Sequence, residues 1–312
     1  MQLQTNLNAL RTAIPYIRAY RGRVFVVKLG GQLCEPGRVL GNLVEQLSLL
    51  YQLGIQLVVV HGGGPQASAL SQRLGMPPSV VAGRRITDDA TLEVVKMALA
   101  GSVNTNLTAA FRKADVPAMG VSGIDAQLLT ARKRPVQSVY DPETDQTRKI
   151  DFGHVGDIVA VSPDPLKHLL AGGFVPVVCC LAADEAGRVL NVNADTVAAR
   201  LAVALEAAKY FLVTNVDGVF RDLADPSTLQ SYLDLDELEH LIRSGVIRGG
   251  MLPKLAACGD ALRGGVPRVH IINGTVPDTL LGEVFTNEGC GTLLVERRES
   301  AAQKLAESPV AG

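Results

Sequence analysis

The chain has no tryptophan, and aromatic residues make up only 4% of its 312 residues, so its core must be built from Ala, Val, Leu and Ile. It also lacks an excess of charge of either sign: 30 Lys+Arg stand against 31 Asp+Glu, a formal net charge of -1. That excludes a broad positive field able to draw the protein onto nucleic-acid phosphates or anionic lipid. No apolar run of the roughly 18 residues needed to span a bilayer occurs. The amino terminus carries Arg11, Arg18, Arg21 and Arg23 but no apolar segment of the secretory kind, so a soluble cytoplasmic protein is expected. The five cysteines (Cys34, Cys179, Cys180, Cys258 and Cys290) show neither a CxxC pair nor Cys/His ligand spacing, which argues for buried thiols and no metal site.

What the sequence has in quantity is hydrophobic residues, at 47%, and glycine, with 31. The length predicts two lobes at roughly 150 residues each. The many glycines imply a backbone that must turn tightly or approach something closely.

Residues 3–20 place Leu3, Leu7, Leu10, Ile14 and Ile17 at helical spacing, predicting an appended helix ahead of the first strand. Then strand, glycine turn and helix alternate: RVFVVKLGG, a helix over 38–53, IQLVVVHGGGP, a helix around 88–113 and a short strand near VPAMGVS. Continuously apolar strands between helices predict an α/β fold, a three-layer αβα sandwich around a mostly parallel open sheet. The polar segment 127–152 reads as antiparallel hairpin, and 174–181 (FVPVVCCL) as one buried strand. A helix capped near Asn193 or Asp195 follows, then the strand KYFLVTNVDGV, a helix over 234–244, the loop RGGMLPK, a helix over 254–264, the strand RVHIING, a helix over 277–286 and a closing strand GTLLV. The expected division is a helical arm at 1–22, an amino-terminal lobe at 23–182 and a carboxyl-terminal lobe at 183–312.

Four glycine clusters adjoin strands: Gly30-Gly31, Gly62-Gly63-Gly64, Asp217-Gly218 and Gly249-Gly250. None fits the Walker or dinucleotide fingerprint, but all four fall where strand ends and helix starts cradle phosphate in an open parallel sheet. Lys28 and Lys254 lie beside two of them, from opposite halves of the chain. Phosphoryl transfer needs positive charge aimed at the oxygens of the moving group, which suits this pair. Two close lysines repel, so a carboxylate is expected between them, and Asp195 is the candidate.

The ordered set KLGG (28–31), VVVHGGGP (58–65), GRRITD (83–88), NVNADT (191–196), TNVDGV (214–219), GGMLPK (249–254) and RVHIING (268–274) resembles the amino acid kinase family, most closely its acetylglutamate-phosphorylating branch. The resemblance runs from about residue 20 to 297. It implies a transfer from ATP, with Mg²⁺ carried by the nucleotide, to the side-chain carboxylate of N-acetylglutamate in arginine biosynthesis. Lys28, Lys254 and Asp195 would be catalytic. Gly63, Gly64, Arg85 and Asn191 would bind the acceptor, Arg85 through a bidentate carboxylate clamp. ATP would lie against Gly30, Gly31, the run Asn215, Val216, Asp217, Gly218, Val219 and Phe220, and Val246, Ile247 and Arg248. The resemblance further implies a homodimer, a hexamer built through the amino-terminal helix, a possible partner of the nitrogen-signalling PII type, and an arginine effector site at His270, Glu283 and Gly289.

Gln32-Leu33-Cys34 after the first glycine pair, and Arg84 inside GRRITD, depart from the commoner family residues and touch the nucleotide loop and the acceptor rim. Two other readings share much of the pattern. One is a kinase for amino-protected 2-aminoadipate in lysine biosynthesis, differing by a single methylene. The other is a non-catalytic arginine-sensing domain of the kind attached to acetyltransferases; the retained lysines and a chain that closes at 312 with a polar tail are expected to set this sequence apart from it.

Overall fold

The computed structural model describes residues 2–81, 84–141, 146–247, 249–286 and 289–298. Helix α1 (Gln2–Tyr20) precedes β1 (Val24–Leu29), α2 (Arg38–Gln52), β2 (Gln56–His61) and α3 (Gly64–Arg73). The side chains of Leu3, Leu7 and Leu10 lie outside the described set. Of the rest of the predicted apolar stripe, Ile14 is exposed and Ile17 half-buried, while Tyr16, outside the stripe, is buried. Two short strands, β3 (Val80–Val81) and β4 (Arg84–Arg85), lead into α4 (Asp89–Lys96), a π-helical segment (Met97–Val103) and α5 (Asn104–Lys113). The helix expected over 88–113 is therefore continuous but widened in its middle.

Next come β5 (Ala118–Ser122), β6 (Leu129–Lys133), β7 (Gln137–Asp141), β8 (Gln146–Ile150), β9 (Gly156–Val161), α6 (Asp164–Ala171) and β10 (Val175–Cys179). β7 and β8 form the expected antiparallel hairpin. The single strand expected over 174–181 is divided: β10 ends at Cys179, and β11 (Leu181–Ala183) leaves for a second sheet with β12 (Val189–Asn191), β6 and β9. Both pieces are buried, so the apolar run carries no mark of the change of sheet.

The remainder comprises α7 (Ala194–Ala204), β13 (Lys209–Thr214), β14 (Val219–Phe220), β15 (Leu229–Gln230), β16 (Tyr232–Asp234), α8 (Leu235–Arg243), α9 (Met251–Arg263), β17 (Val269–Asn273), α10 (Thr279–Phe285) and β18 (Thr292–Val295). α9 starts three residues earlier than expected, with Pro253 in its first turn, where a missing N–H costs nothing. Lys254 thus sits on the helix rather than in the loop before it.

The main sheet has eight strands in the order β16-β18-β17-β13-β1-β2-β10-β5. The six from β17 to β5 are mutually parallel, and β18 turns antiparallel to β17. Alternate residues of β1 divide between two cores. Val26 joins the layer of α6, α7, α8 and α9, and Phe25, Val27 and Leu29 join the layer of α2, α5 and α10. This is the three-layer sandwich the alternation of strands and helices predicts. Among the described residues no helix is long and apolar enough to cross a membrane.

Candidate active site

Lys28 is the fifth residue of a strand whose other inward neighbours are wholly apolar, and its side chain is only 4% exposed. Taking an ammonium out of water costs several kcal/mol even after relaxation, more than the roughly 1.5–3 kcal/mol that burying a neighbouring Val or Leu returns. The charge is tolerable because Asp195 Oδ1 lies 2.6 Å from Lys28 Nζ. Asp195 Oδ2 accepts from Lys254 Nζ at 3.2 Å.

Asn193 caps α7, its side-chain oxygen accepting from the N–H groups of Asp195 (2.8 Å) and Thr196 (3.1 Å), and this sets Asp195 in the first turn. Burial by itself would raise the Asp195 pKa; the ammonium groups of Lys28 and Lys254 outweigh it and bring the carboxyl below its ordinary value. Burial, then repulsion from Lys28, lowers the pKa of Lys254. Two cations share one anion. The surplus positive charge is directed where Lys254, still 23% exposed, meets solvent.

The glycine loops after β1 and β2 press against each other: a Cβ on Gly31 would stand 2.9 Å from Pro65 Cδ and 3.0 Å from Gly63 N. The carbonyls from His61 to Gly64 each have a donor. Cys180 Sγ donates to His61 O at 2.8 Å, and His61 Nδ1 lies 2.9 Å from Gly62 O. Ala67 N donates to Gly63 O at 2.9 Å, and Arg85 Nη2 to Gly64 O at 3.0 Å. The Gly62 N–H is used by Leu29 O at 3.0 Å. Among the described residues the N–H groups of Gly63 and Gly64 have no partner, and they open α3, so the loop presents donors and no acceptors.

A cavity of about 260 Å³ adjoins this loop, lined by Gly63, Gly64, Arg85 and Asn191 together with Cys180 and Leu99. All four residues expected to hold the acceptor therefore meet in one place. Arg85 Nη2 also reaches Ser68 Oγ, while its buried Nη1 has no partner among the described residues, and burial lowers the Arg85 pKa. A buried guanidinium edge without an acceptor is costly unless a carboxylate arrives to meet it. Asn191 Nδ2 donates to Thr87 Oγ1 at 3.3 Å. Arg134, read from the sequence only as part of a polar segment, also lines the cavity, but its Nε already donates to Asp157 at 3.1 Å.

The residues expected to meet ATP lie along the same carboxyl edge of the sheet. Gly30 and Gly31 follow β1, and Gly30 N donates to Val213 O at 3.0 Å. Asn215, Val216, Asp217 and Gly218 follow β13, and Val219 and Phe220 form β14. Gly218 is dictated by space, since a Cβ there would stand 2.4 Å from Thr292 Oγ1, which accepts from Val219 N at 2.8 Å. Asp217 Oδ1 accepts from Asn273 Nδ2 at 2.8 Å. Val246 lines a second cavity of about 570 Å³ beside α8 and the β14–β15 hairpin, and Ile247 is buried. Arg248 lies outside the described residues, as does Gly83 of GRRITD. No group of three His, Cys, Asp or Glu side chains able to hold a metal occurs among the described residues.

His270, Glu283 and Gly289 meet at the opposite, amino-terminal end of the strands. His270 Nδ1 donates to Glu283 Oε2 at 2.8 Å, and Glu283 Oε1 accepts from Cys290 N at 2.6 Å and Gly291 N at 2.9 Å. Gly289 packs on that carboxylate; its Cβ position lies 3.2 Å from Glu283 Oε1 at a φ of +42°. The sequence reading missed Lys209, whose Nζ is 3.0 Å from His270 Nε2 and 5.2 Å from the centre of the Tyr20 ring. A lysine opening the otherwise apolar strand KYFLVT was the available signal.

A buried lysine–aspartate–lysine bridge beside a glycine loop that presents main-chain donors, on the carboxyl edge of an open parallel sheet, is the arrangement of a phosphotransferase. Residues 23–273 match the amino acid kinase family, and the chain belongs to it. It is 45% identical over 294 residues to the acetylglutamate kinase of Myxococcus xanthus, covering 94% of this chain and 95% of that one. With the acetylglutamate kinase of Archaeoglobus fulgidus it shares 42% identity over 93% of this chain and 99% of that one. In three dimensions it is similar to the N-acetylglutamate synthase of Neisseria gonorrhoeae solved with coenzyme A and N-acetyl-glutamate, with a TM-score of 0.78 and 30% identity over 94% of this chain. It spans 64% of that synthase. The same synthase solved with coenzyme A and L-arginine gives a TM-score of 0.76 at 28% identity, over 96% of this chain and 69% of that one.

Proposed function

We infer that the protein phosphorylates the side-chain carboxylate of N-acetyl-L-glutamate from ATP, giving the acyl phosphate and ADP, a step of arginine biosynthesis in the cytoplasm. The observation that carries this is the Lys28–Asp195–Lys254 bridge beside a cavity where, among the described residues, a guanidinium edge of Arg85 and the N–H groups of Gly63 and Gly64 have no partner. Relatives bearing that activity in their names, at 39–45% identity over most of the chain, support it.

A carboxylate oxygen attacks the γ-phosphorus as the bond to the β-bridging oxygen breaks, and the electron pair leaves with ADP. No proton moves, because the nucleophile is already ionised, so no general base is needed. The work left to the protein is positioning and charge neutralisation. Lys28 and Lys254 neutralise the charge that spreads over the moving group, and Asp195 keeps the two lysines apart and charged. Arg85 takes a backbone-end carboxylate of the acceptor with its free edge, and Asn191 faces the acceptor from the other side. The loops at 30–31, 215–220 and 246–248 hold the nucleotide. Mg²⁺ would be carried by the triphosphate oxygens.

The test is ADP release with N-acetylglutamate, N-acetylaspartate and N-protected 2-aminoadipate side by side. Turnover with the first exceeding the others by at least tenfold is expected; preference for the 2-aminoadipate derivative would transfer the activity to lysine synthesis.

Feedback inhibition by L-arginine at His270, Glu283 and Gly289 is the second part of the proposal, and the synthase bound to L-arginine supports it. Glu283 would exchange a main-chain donor for the effector's cationic end. Inhibition by millimolar arginine between pH 7 and 8.5 is expected, and unchanged activity there would remove this part. The division at about residue 182, assembly as a homodimer and then a hexamer through α1, and a PII-type partner belong to the same proposal. The exposed Ile14 on α1 supports the arm.

A further inference from the structure

His61 ends β2 with its ring wholly buried. Asn104 Nδ2, at the start of α5, lies 3.1 Å from His61 Nε2, and an amide nitrogen only donates, so Nε2 is the acceptor. The ring proton is then on Nδ1, which donates to Gly62 O at 2.9 Å. Asn104 cannot turn its amide over without losing its other bond, from Nδ2 to Val177 O at 2.9 Å. Burial lowers the His61 pKa to about 4, so at neutral pH the ring is uncharged and this one tautomer satisfies both neighbours.

The consequence lies in the next peptide. In a trans amide the C=O and the following N–H point in opposite directions. Tying the Gly62 carbonyl to the His61 ring therefore turns the Gly63 N–H away from the ring. Gly63 N sits 3.0 Å from where a Cβ of Gly31 would stand, between the two glycine loops. One peptide earlier the same rule applies: Cys180 Sγ holds the His61 carbonyl at 2.8 Å while Gly62 N–H donates to Leu29 O at 3.0 Å.

We propose that His61, held in one tautomer by Asn104, is a positioning residue that aims the Gly63 N–H at the transferred phosphoryl group. This rests on the acetylglutamate-phosphorylating reading of the site. The reacting atoms never touch the imidazole; it acts through the peptide plane. Asn104 specifies the tautomer, and Cys180 fixes the plane before it.

Steady-state kinetics of the full chain with ATP and N-acetylglutamate test it. Removing one main-chain-type donor from such a site costs about 10²–10³ in kcat, and misaiming one is expected to cost roughly 100-fold. His61→Leu should show that loss in kcat, with KM for both substrates within about threefold of native, because the Gly63 N–H matters most to the charge of the moving group. His61→Asn places an amide nitrogen near the Nδ1 position and should recover kcat to within about tenfold of native. Asn104→Leu, which frees the tautomer but leaves the ring, should fall between them. Native kcat in folded His61→Leu, a loss carried by KM, or His61→Asn no better than His61→Leu would each overturn the proposal. If His61→Leu does not fold, native kcat in folded Asn104→Leu overturns it equally. Absence of turnover in the native protein would strike the functional reading instead, so the two failures are distinguishable.

Discussion

The two ends of the central sheet each bury a lysine, a carboxylate and a third basic group, yet they are built for different work. At the carboxyl end Lys28 and Lys254 both bond directly to Asp195, leaving one positive charge in surplus beside a cavity. At the amino end Lys209 reaches Glu283 only through His270, and the Glu283 carboxylate is met by main-chain N–H groups as well. The first arrangement needs an anion to complete it. The second meets its one carboxylate with a histidine and main-chain donors inside the protein, with Arg268 close enough to Lys209 and His270 to repel a proton from each. Burial lowers the Lys209 pKa to about 7, with repulsion from Arg268 next and Glu283 opposing, whereas Asp195 lets its two lysines sit against a single carboxylate held below its ordinary pKa. Two lysines on one carboxylate beside a cavity mark the end proposed to handle phosphate.

The comparison breaks most sharply at Asp195. Asp195→Asn removes the one carboxylate that, among the described residues, bonds both the buried Lys28 and the half-buried Lys254, which should cost about 3–5 kcal/mol in urea denaturation and leave turnover below detection. Lys28→Met should preserve the fold and lower kcat by about 10²–10³. The pH dependence of stability comes next. Burial brings both His61 and His270 to about 4, below the ordinary 6.5, so the unfolded chain binds more protons between those values. Stability should be full above pH 6.5 and fall by on the order of 1–3 kcal/mol per ring as pH drops to about 4. A flat stability profile over that window would mean that neither ring is held neutral. The smallest effect is expected at Lys209→Met: it leaves His270 Nε2, and through it the buried Glu283, without this donor, and because burial already lowers the Lys209 pKa to about 7 the loss of stability should be only about 1–2 kcal/mol. Turnover without arginine should stay within twofold of native. A large loss of turnover there would erase the distinction between the two ends.

Much of the active end was legible because its chemistry follows chain punctuation. A glycine pair after an apolar strand, and a lysine beside it, mark a place where backbone approaches an anion, and Lys28 and Lys254 both carry that mark. Asp195 followed from the need to separate them. What stayed hidden lacks punctuation. Cys180 steps out of β10 toward another sheet, but both sheets are buried, so FVPVVCCL reads as one strand. The π-helical segment at Met97–Val103 keeps an ordinary helical composition; its Leu99 side chain fills the space over Gly63, a Cβ of which would stand 2.1 Å from Leu99 Cδ2. His61 and Asn104 are 43 residues apart, and only the fold joins them. Lys209 opens a strand, a position usually wet, and tertiary packing under Tyr20 and Phe211 buries it.

On the proposed function, the lysine pair at the carboxyl end drives transfer of phosphate to a carboxylate. Trapping with hydroxylamine tests this most directly, since an acyl phosphate yields a hydroxamate that a phosphate ester or simple ATP hydrolysis does not. With ATP and N-acetylglutamate the native protein should form hydroxamate in step with ADP, one for one, and Lys254→Met should form neither above about 1% of the native rate, in line with the charge stabilisation expected of such a group. ADP formation without hydroxamate, or equal hydroxamate from Lys254→Met, would contradict the account.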